Sequence, residues 1–240
     1  MRDTANPGAD LGQFPITRRW PATDPGKLQL YSYPTPNGVK VSIALEELGL
    51  PYEAHTVTLA DADVKSDAFT SLNPNGKIPT IIDPEGPDGR PIGLFESGAI
   101  QLYLGEKTGR LLGDTPRARF EVTQWLMFQM GGVGPLFGQL GFFVKFKGEE
   151  VADPIPRERY IGEAKRLLGV LDGHLEGRDW VAGDYSMADI AIAPWLRGLD
   201  GYGARPLVDW ESHTNVTAYL DRFLARPAVQ RGLTIPAREA

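Results

Sequence analysis

The sequence contains no cysteine among its 240 residues. This absence excludes disulfide bonds, thiolate metal sites and a protein thiol acting as a nucleophile. Its three histidines, His55, His174 and His213, are scattered along the chain without metal-ligand spacing, so we expect no bound metal. No apolar run approaches the ~20 residues needed to span a bilayer, and the first 27 residues contain no continuous apolar segment typical of a signal peptide.

An excess of positive charge is also lacking. Lys and Arg number 25 against 31 Asp and Glu, which gives a formal net charge of −6. This balance argues against a general nucleic-acid binder, although a few local cations could still hold a small anionic ligand. Hydrophobic residues make up 42% of the chain, enough for a folded core. We expect a cytoplasmic protein with no nucleic-acid partner and no membrane partner.

Three regions differ in pattern. Residues 1–27 are rich in Pro, Gly and Asp and are interpreted as an irregular arm, which is either a frayed tail or a segment that packs on something. Residues 28–112 predict the order βαβ and then ββα: "LQLYSY" reads as a strand, apolar residues then recur at helical spacing, and Gly49 ends that helix. Residues 113–240 show no convincing period of two and predict an all-helical domain, with a break or loop in the glycine- and aromatic-rich stretch after residue 130.

The junction "PTPNG" lies between the first strand and the first helix. Thr35 is a good N-cap and Pro36 a preferred first helical residue, so the simplest interpretation is a helix start. The same geometry suits a thiolate, because a helix N-terminus presents free N–H groups and Thr35 and Asn37 could each donate a hydrogen bond. Lowering a thiol pKa by about two units needs roughly 2.7 kcal/mol. A helix terminus contributes about 0.3–2 kcal/mol and a hydrogen bond to a charge about 1.5–3 kcal/mol, which together suffice.

Since the chain has no cysteine, any thiolate at this junction must belong to a bound small thiol. Four motifs in order, "PTPNG", "NPNGKIPTI", "FESGAIQLYL" and "SMADIAIAPW", resemble the cytosolic glutathione transferases over about residues 27–235. "PTPNG" resembles in particular the Nu class, which is related to bacterial disulfide-bond oxidoreductases and to a yeast nitrogen-regulating prion protein. The resemblance implies a thioredoxin-like domain followed by an all-helical domain, with glutathione as the cofactor.

The resemblance also implies a set of binding residues. Sequence alone favours a trans bond or an edge-strand proline at Pro79, whereas the family has a cis-proline there that exposes the backbone of Ile78 to the cysteinyl backbone of glutathione. Lys77 is either a solvated lysine or a contact of the glycyl carboxylate. Glu96 and Ser97 suit a helix start, and in the family they bind the γ-glutamyl ammonium and carboxylate.

Further positions are implied in the second half. In the Nu class, an arginine matching Arg159 reaches toward a second glutathione site, and Gln124 matches a position near the partner subunit's ligand. The sequence departs from the family pattern in two places. At the second site, "LGFFVKFKGEE" contains no histidine. At the first site, the loop around Asp63–Phe69 lacks the polar residue expected to contact glutathione. Ser186 and Asp189 form a capping-box pattern, which we interpret as structural.

The leading functional hypothesis is a homodimeric, glutathione-dependent disulfide-bond reductase that also reduces organic hydroperoxides. Thr35 and Asn37 would stabilise the glutathione thiolate, and we interpret Tyr31 and Tyr33 as mainly packing residues. One alternative is conjugation of glutathione to a small electrophile, with an apolar pocket formed by the aromatic residues Phe142, Phe143 and Phe146, which could equally be core. A second alternative is a glutathione-binding protein without turnover.

Overall fold

A computed structural model describes residues 11–237, so the first ten residues of the predicted arm lie outside the described part. The chain divides into two compact units. Of the described residues, 11–108 and 231–237 form the first unit, and Gly109–Gln230 form the second. The predicted helical domain includes residues 231–237, whereas in the structure these residues belong to the first unit.

The first unit is built on a four-stranded sheet in the order β2-β1-β3-β4. β1 (Leu28–Ser32) pairs in parallel with β2 (Tyr52–Thr56) and antiparallel with β3 (Thr80–Asp83), which in turn pairs antiparallel with β4 (Ile92–Phe95). The crossover between the two parallel strands contains α1 (Gly38–Leu48), and α4 (Ser97–Thr108) follows β4. The predicted βαβ–ββα order is therefore confirmed.

Two helices and the described part of the arm cover the sheet. α1 packs against α4 and β1, and α4 also contacts β3 and β4. Tyr31 and Ile82 belong to a buried cluster that also contains Leu11, Ile16 and Phe69 and no residue of α1 or α4. Because successive strand residues point to opposite faces, this cluster lies on the face opposite α1. Residues 11–22 are thus a packed part of the unit, which decides between the two interpretations of the arm for its described portion.

The segment predicted as one polar loop after β2 contains two short helices, α2 (Asp61–Val64) and α3 (Asp67–Thr70). The Ser66 hydroxyl caps α3 by accepting a hydrogen bond from the Phe69 amide at 3.3 Å. Phe69 is completely buried and belongs to the cluster with the arm. The sequence analysis did not predict these two helices, because the segment is mostly polar and only one of its faces is apolar.

Every element of the second unit is helical, as predicted. Its α-helices are α5 (Pro116–Phe128), α6 (Gly134–Gly141), α7 (Pro154–His174), α8 (Met187–Gly201) and α9 (Thr214–Leu224), and α10 (Pro227–Gly232) leads back to the first unit. The predicted break within the glycine- and aromatic-rich stretch is confirmed at residues 147–153, where a short 3-10 turn and irregular chain precede α7. Before this break the chain stays helical through two π-helical turns, Gln129–Val133 and Phe142–Phe146, which flank α6.

Asp189 holds the start of the central helix α8. Its carboxylate accepts hydrogen bonds from the Ser186 backbone amide at 2.8 Å and from the Val181 amide at 3.1 Å. Burial raises the pKa of Asp189 to about 6, and these hydrogen bonds oppose the rise. The capping-box pattern is therefore a structural feature of α8, as the sequence predicted.

No helix within residues 11–237 combines the length and the apolar character that crossing a membrane requires.

Candidate active site

The β1–α1 junction is shaped by Thr35. Its hydroxyl oxygen accepts a hydrogen bond from the Gly38 amide at 3.2 Å, and its carbonyl accepts one from the Val39 amide at 3.0 Å. These are the bonds of an N-cap, although regular helix begins at Gly38 rather than at the predicted Pro36. Because the hydroxyl acts as an acceptor toward Gly38, its own proton is available to donate elsewhere.

Gly38 is the last residue of "PTPNG", and close packing explains why this position is glycine. A Cβ at this position would lie 1.9 Å from the Tyr33 carbonyl oxygen and 2.6 Å from the Ser32 hydroxyl. Only glycine therefore allows the start of α1 to pack this closely on the end of β1. Asn37 immediately precedes the helix and is half-buried, so its side chain and that of Thr35 belong to the same helix end.

Strand register brings three predicted segments to one edge of the sheet. Tyr31 pairs with Thr80, and Thr80 pairs with Phe95. The end of β1, the residues before β3 and the residues after β4 are consequently neighbours. The junction around Thr35, the Ile78–Pro79 bond and the Glu96–Ser97 turn each continue from one of these three positions.

The Ile78–Pro79 peptide bond is cis, as the resemblance implied. Ile78 precedes the first paired residue of β3, so it lies beyond the end of the strand ladder. Asn73 is buried at 2% exposure and supports this loop, since its side chain donates to the Lys77 carbonyl and accepts from the Asn75 amide. Sequence reasoning missed Asn73. The Lys77 residue is exposed.

The Glu96–Ser97 turn starts α4. Glu96 has a φ of 68°, a conformation that non-glycine residues adopt rarely and that often marks a functional turn. Its carbonyl accepts a hydrogen bond from the Ile100 amide at 2.9 Å, and Glu96 is exposed to solvent. Ser97 is the first residue of the helix and is buried at 3% exposure. The turn thus places a carboxylate beside a helix N-terminus.

Lys40 is a second residue that the sequence analysis missed. It lies in the first turn of α1, is completely buried, and donates from Nζ to the Ser97 hydroxyl at 3.3 Å. Burial lowers the pKa of Lys40 to about 7, and the negative charge of Glu96 opposes that lowering. A lysine inside the apolar run "GVKVSIAL" was the available signal, because a helix so apolar on both sides of position 40 is buried around most of its circumference.

Tyr31 packs within the first unit. It is completely buried, its ring stacks on His55 with centroids 4.6 Å apart, and Trp20 contacts it edge-on. Burial raises the pKa of its phenol above the ordinary value. Tyr33 is half-buried and packs on the same cluster.

The described part of the arm also contacts the loop Asp63–Phe69, which departs from the family pattern. The Asp63 carboxylate accepts hydrogen bonds from the Thr58 amide at 2.9 Å and from its hydroxyl at 2.6 Å, and it forms an ion pair with Arg19. Bonds from Thr58 and Arg19 outweigh partial burial and lower the pKa of Asp63. In this protein, Asp63 therefore ties the arm to the start of α2.

The remaining predicted residues belong to the second unit. Arg159 is exposed on α7, one turn before Glu163. Arg166, with a smaller contribution from Arg159, lowers the pKa of Glu163. Gln124 is exposed on α5 at the rim of a small cavity of about 170 Å³, which Trp125 and Arg178 also line.

Three aromatic residues named for an apolar pocket are not core residues. Phe142 is 42% exposed and Phe146 is 61% exposed. Phe143 is half-buried and stacks on Tyr160 with centroids 5.5 Å apart, while Phe146 contacts Tyr202 edge-on. Phe142 and Phe143 contact each other edge-on, with centroids 5.1 Å apart, so the second π-helical turn presents one aromatic pair and, separately, Phe146.

A thioredoxin-like α/β unit followed by an all-helical unit, with donor groups at two helix N-termini, defines the class of protein. The family model for the glutathione S-transferase N-terminal domain matches residues 35–107, and the model for the C-terminal domain matches residues 135–227. The chain belongs to the glutathione transferase family.

One curated relative and two solved structures show which members of the family this chain resembles. The disulfide-bond oxidoreductase YfcG of Escherichia coli is 40% identical over 208 residues, which cover 86% of this chain and 94% of the relative. A glutathione transferase from Burkholderia graminis, solved with two glutathione molecules bound per subunit, is 59% identical with a TM-score of 0.95, covering 97% of this chain and 98% of that one. One from Pseudomonas putida, solved with one glutathione disulfide per subunit, is 59% identical with a TM-score of 0.93, covering 94% and 99%. The predicted family is therefore confirmed.

Proposed function

We propose that this protein is a glutathione-dependent disulfide-bond reductase. The observation that carries the proposal is the convergence of two helix N-termini at one sheet edge, with Thr35 at the first and Glu96–Ser97 at the second. Glutathione has a thiol at its centre and a zwitterionic γ-glutamyl end. A hydroxyl donor suits the thiolate, and a carboxylate beside a helix N-terminus suits an ammonium beside a carboxylate.

The residues divide the work between the two ends of the ligand. Thr35 and Asn37 donate hydrogen bonds to the sulfur, which keeps it ionised near neutral pH. Ile78 pairs through its backbone with the cysteinyl backbone, next to Pro79. Glu96 pairs with the γ-glutamyl ammonium and Ser97 with the carboxylate. Lys77, which is exposed at the same loop, faces the glycyl carboxylate.

Glutathione supplies the sulfur chemistry that the chain lacks: one thiolate displaces a thiolate from the substrate disulfide, and a second resolves the mixed disulfide, so that both substrate sulfurs leave reduced and glutathione disulfide forms. The relatives support this use of two thiols. The B. graminis protein was solved with two glutathione molecules per subunit and the P. putida protein with glutathione disulfide. YfcG and YghU of E. coli are named disulfide-bond oxidoreductases.

The subunit arrangement and cell compartment belong to the same proposal. Phe120, Gln124 and Met127 lie at helical spacing on α5, and the two apolar residues are 74% and 46% exposed. An exposed apolar stripe of this kind suits a homodimer contact, with Gln124 directed toward the partner's ligand. Arg159 is assigned to the second glutathione. A cytoplasmic location fits because reduced glutathione dominates there.

One observation favours a second candidate, the conjugation of glutathione to small electrophiles. The exposed rings of Phe142 and Phe146, on either side of half-buried Phe143 in the second π-helical turn, would accept a flat apolar substrate. An organic hydroperoxide would use the same thiolate as a disulfide.

The test compares the two activities in parallel. Glutathione-dependent reduction of 2-hydroxyethyl disulfide is measured beside conjugation of chlorodinitrobenzene, with wild type and Thr35→Ala. Fast disulfide reduction with weak conjugation, both sensitive to Thr35, is the expected result. Strong conjugation that is indifferent to Thr35 would overturn the proposal, and glutathione binding without either turnover would indicate a binding protein.

A further inference from the structure

Trp20 is the residue through which the arm contacts both the sheet and α3. Its ring meets the Tyr31 ring edge-on with centroids 6.4 Å apart, and it meets the Phe69 ring edge-on with centroids 6.2 Å apart. Trp20 is half-buried and packs on the cluster that also contains Leu11 and Ile16. Edge-on aromatic pairs at these separations are favourable beyond the area that they bury. One side chain of the arm therefore holds two distant segments of the first unit together.

The Trp20 ring is itself held by its neighbours in the arm. The Trp20 amide donates a hydrogen bond to the Ile16 carbonyl at 3.1 Å, and Ile16 is completely buried. The Arg19 guanidinium carbon lies 4.9 Å from the ring centroid, and a cation over an aromatic face is an attractive contact. The same guanidinium forms the ion pair with Asp63. The ring thus has a defined position between the arm and α2.

The two rings that Trp20 contacts lie at the two ends of one loop. Phe69 comes directly before residues 70–79, and Thr80 comes directly after them. Thr80 pairs with Tyr31 in the sheet. Trp20 therefore connects the residue at which the loop begins to the strand partner of the residue at which it ends. Holding both ends of a loop reduces the number of conformations that the loop can adopt.

This loop carries Ile78. Within the loop, the Asn73 amide donates to the Phe69 carbonyl at 3.0 Å, and the Asn73 side chain donates to the Lys77 carbonyl. The Ile78 side chain belongs to the same buried cluster as Phe69, and its backbone lies beyond the end of the strand ladder. A continuous series of contacts consequently runs from Trp20 to Ile78.

We propose that Trp20 is a positioning residue for glutathione: by holding Phe69 against Tyr31, it fixes residues 70–79 in the conformation that presents the Ile78 backbone to the cysteinyl backbone of the ligand. A loop that is ordered before the ligand arrives binds more tightly, because no further conformational entropy is lost on binding. The inference rests on the proposed function, since it assumes that Ile78 pairs with glutathione. It gives the described part of the arm a role in ligand binding.

The test measures binding and loop dynamics in wild type and in Trp20→Leu, which keeps an apolar side chain but removes both ring contacts. The dissociation constant of S-methylglutathione, which has no free thiol, is measured by calorimetry. We expect it to rise about three- to tenfold, and KM for glutathione to rise similarly. Trp20→Phe keeps an aromatic ring and should retain part of the lost affinity.

Hydrogen exchange reports on the loop itself. The Asn73 amide donates to the Phe69 carbonyl, and the Gly76 amide donates to the Asn73 carbonyl, each at 3.0 Å. Both amides should exchange about tenfold faster in Trp20→Leu, because the loop opens locally without global unfolding. A residue that only adds to global stability would not change these two amides selectively.

Two variants serve as matched controls. Val216→Ala truncates a completely buried residue of α9 in the second unit, so it lowers stability without touching the loop. Thr23→Ala removes another contact of the arm, the hydrogen bond from its hydroxyl to the Glu53 carboxylate of β2 at 2.7 Å. Both should leave the dissociation constant of S-methylglutathione unchanged, because neither residue belongs to the contacts between Trp20 and Ile78.

Three results would overturn the inference: an unchanged dissociation constant in Trp20→Leu, unchanged exchange of the two loop amides, or an equal loss of affinity in Val216→Ala. If Trp20→Leu does not fold, Trp20→Phe takes its place, with a smaller change expected in the same direction. A wild type that fails to bind S-methylglutathione would refute the proposed function itself. A wild type that binds it, with no loss in the Trp20 variants, would refute only the role of Trp20.

Discussion

Replacing Thr35 by valine gives the sharpest test of how the site activates a thiol. Valine has nearly the same shape as threonine but lacks the hydroxyl, so the variant removes one proposed donor to the sulfur and the acceptor for the Gly38 amide, 3.2 Å away. The proposed bond to a thiolate is worth about 1.5–3 kcal/mol. Its loss should raise the pKa of the bound thiol by about 1–2 units.

The rate should follow the fraction of thiolate. At neutral pH, kcat/KM for 2-hydroxyethyl disulfide should fall about 10- to 100-fold. The thiolate of bound glutathione absorbs in the ultraviolet, so a pH titration of that absorbance in both proteins measures the shift in pKa directly. Loss of the cap should also lower the free energy of unfolding by about 1 kcal/mol.

Thr35→Ser is the matched control, because it keeps the hydroxyl and should keep most of the activity. The reasoning would be refuted if Thr35→Val retained the wild-type pKa of the bound thiol, or if its lower rate persisted at a pH high enough to ionise the thiol fully. Either result would mean that the hydroxyl does not contact the sulfur, and Tyr33 would be the next donor to examine.

Three further predictions concern stability, each measured by urea unfolding. Lys40 has a folded pKa of about 7, below its unfolded value, so its buried charge is unfavourable below that pH and the penalty disappears as the pH rises toward 10.5. Lys40→Met should therefore be about 1–4 kcal/mol more stable than wild type near pH 6, with the advantage shrinking above pH 7; a constant difference would contradict this. Asp189→Asn should lose about 1–3 kcal/mol without changing KM for glutathione, since it removes hydrogen bonds to a charged carboxylate that caps α8. Ile16→Ala should lose about 2–5 kcal/mol because Ile16 is completely buried, and an unchanged midpoint would mean that the arm is not part of the core.

Local pattern was enough to predict most of the architecture. The order βαβ–ββα, a helix after "PTPNG" that ends at Gly49 and the all-helical second half follow from hydrophobic period and from glycine and proline at the element ends. These signals act over a few residues. They were least informative where short helices were polar on one side, as in α2 and α3, and around α6, where two π-helical turns extend the helical chain up to the break at residues 147–153.

The chemistry of the site was also visible in the sequence, in part. The absence of cysteine beside a helix start with Thr35 and Asn37 indicated a bound thiol, and the family resemblance added Glu96 and Ser97. Each of these residues lies at an element end, where a side chain's local role can be inferred. Asn73 and Lys40 were missed because their importance comes from what they touch.

Only the tertiary structure decided which distant segments meet. The pairing of Tyr31 with Thr80 and of Thr80 with Phe95 brings three separate segments to one sheet edge. Residues 11–22 become part of the core through Leu11 and Ile16, and a lysine in an apolar helix finds its partner 57 positions away in Ser97. Hydrophobic period specifies which face of an element is buried, but strand register and helix packing determine what that face is buried against.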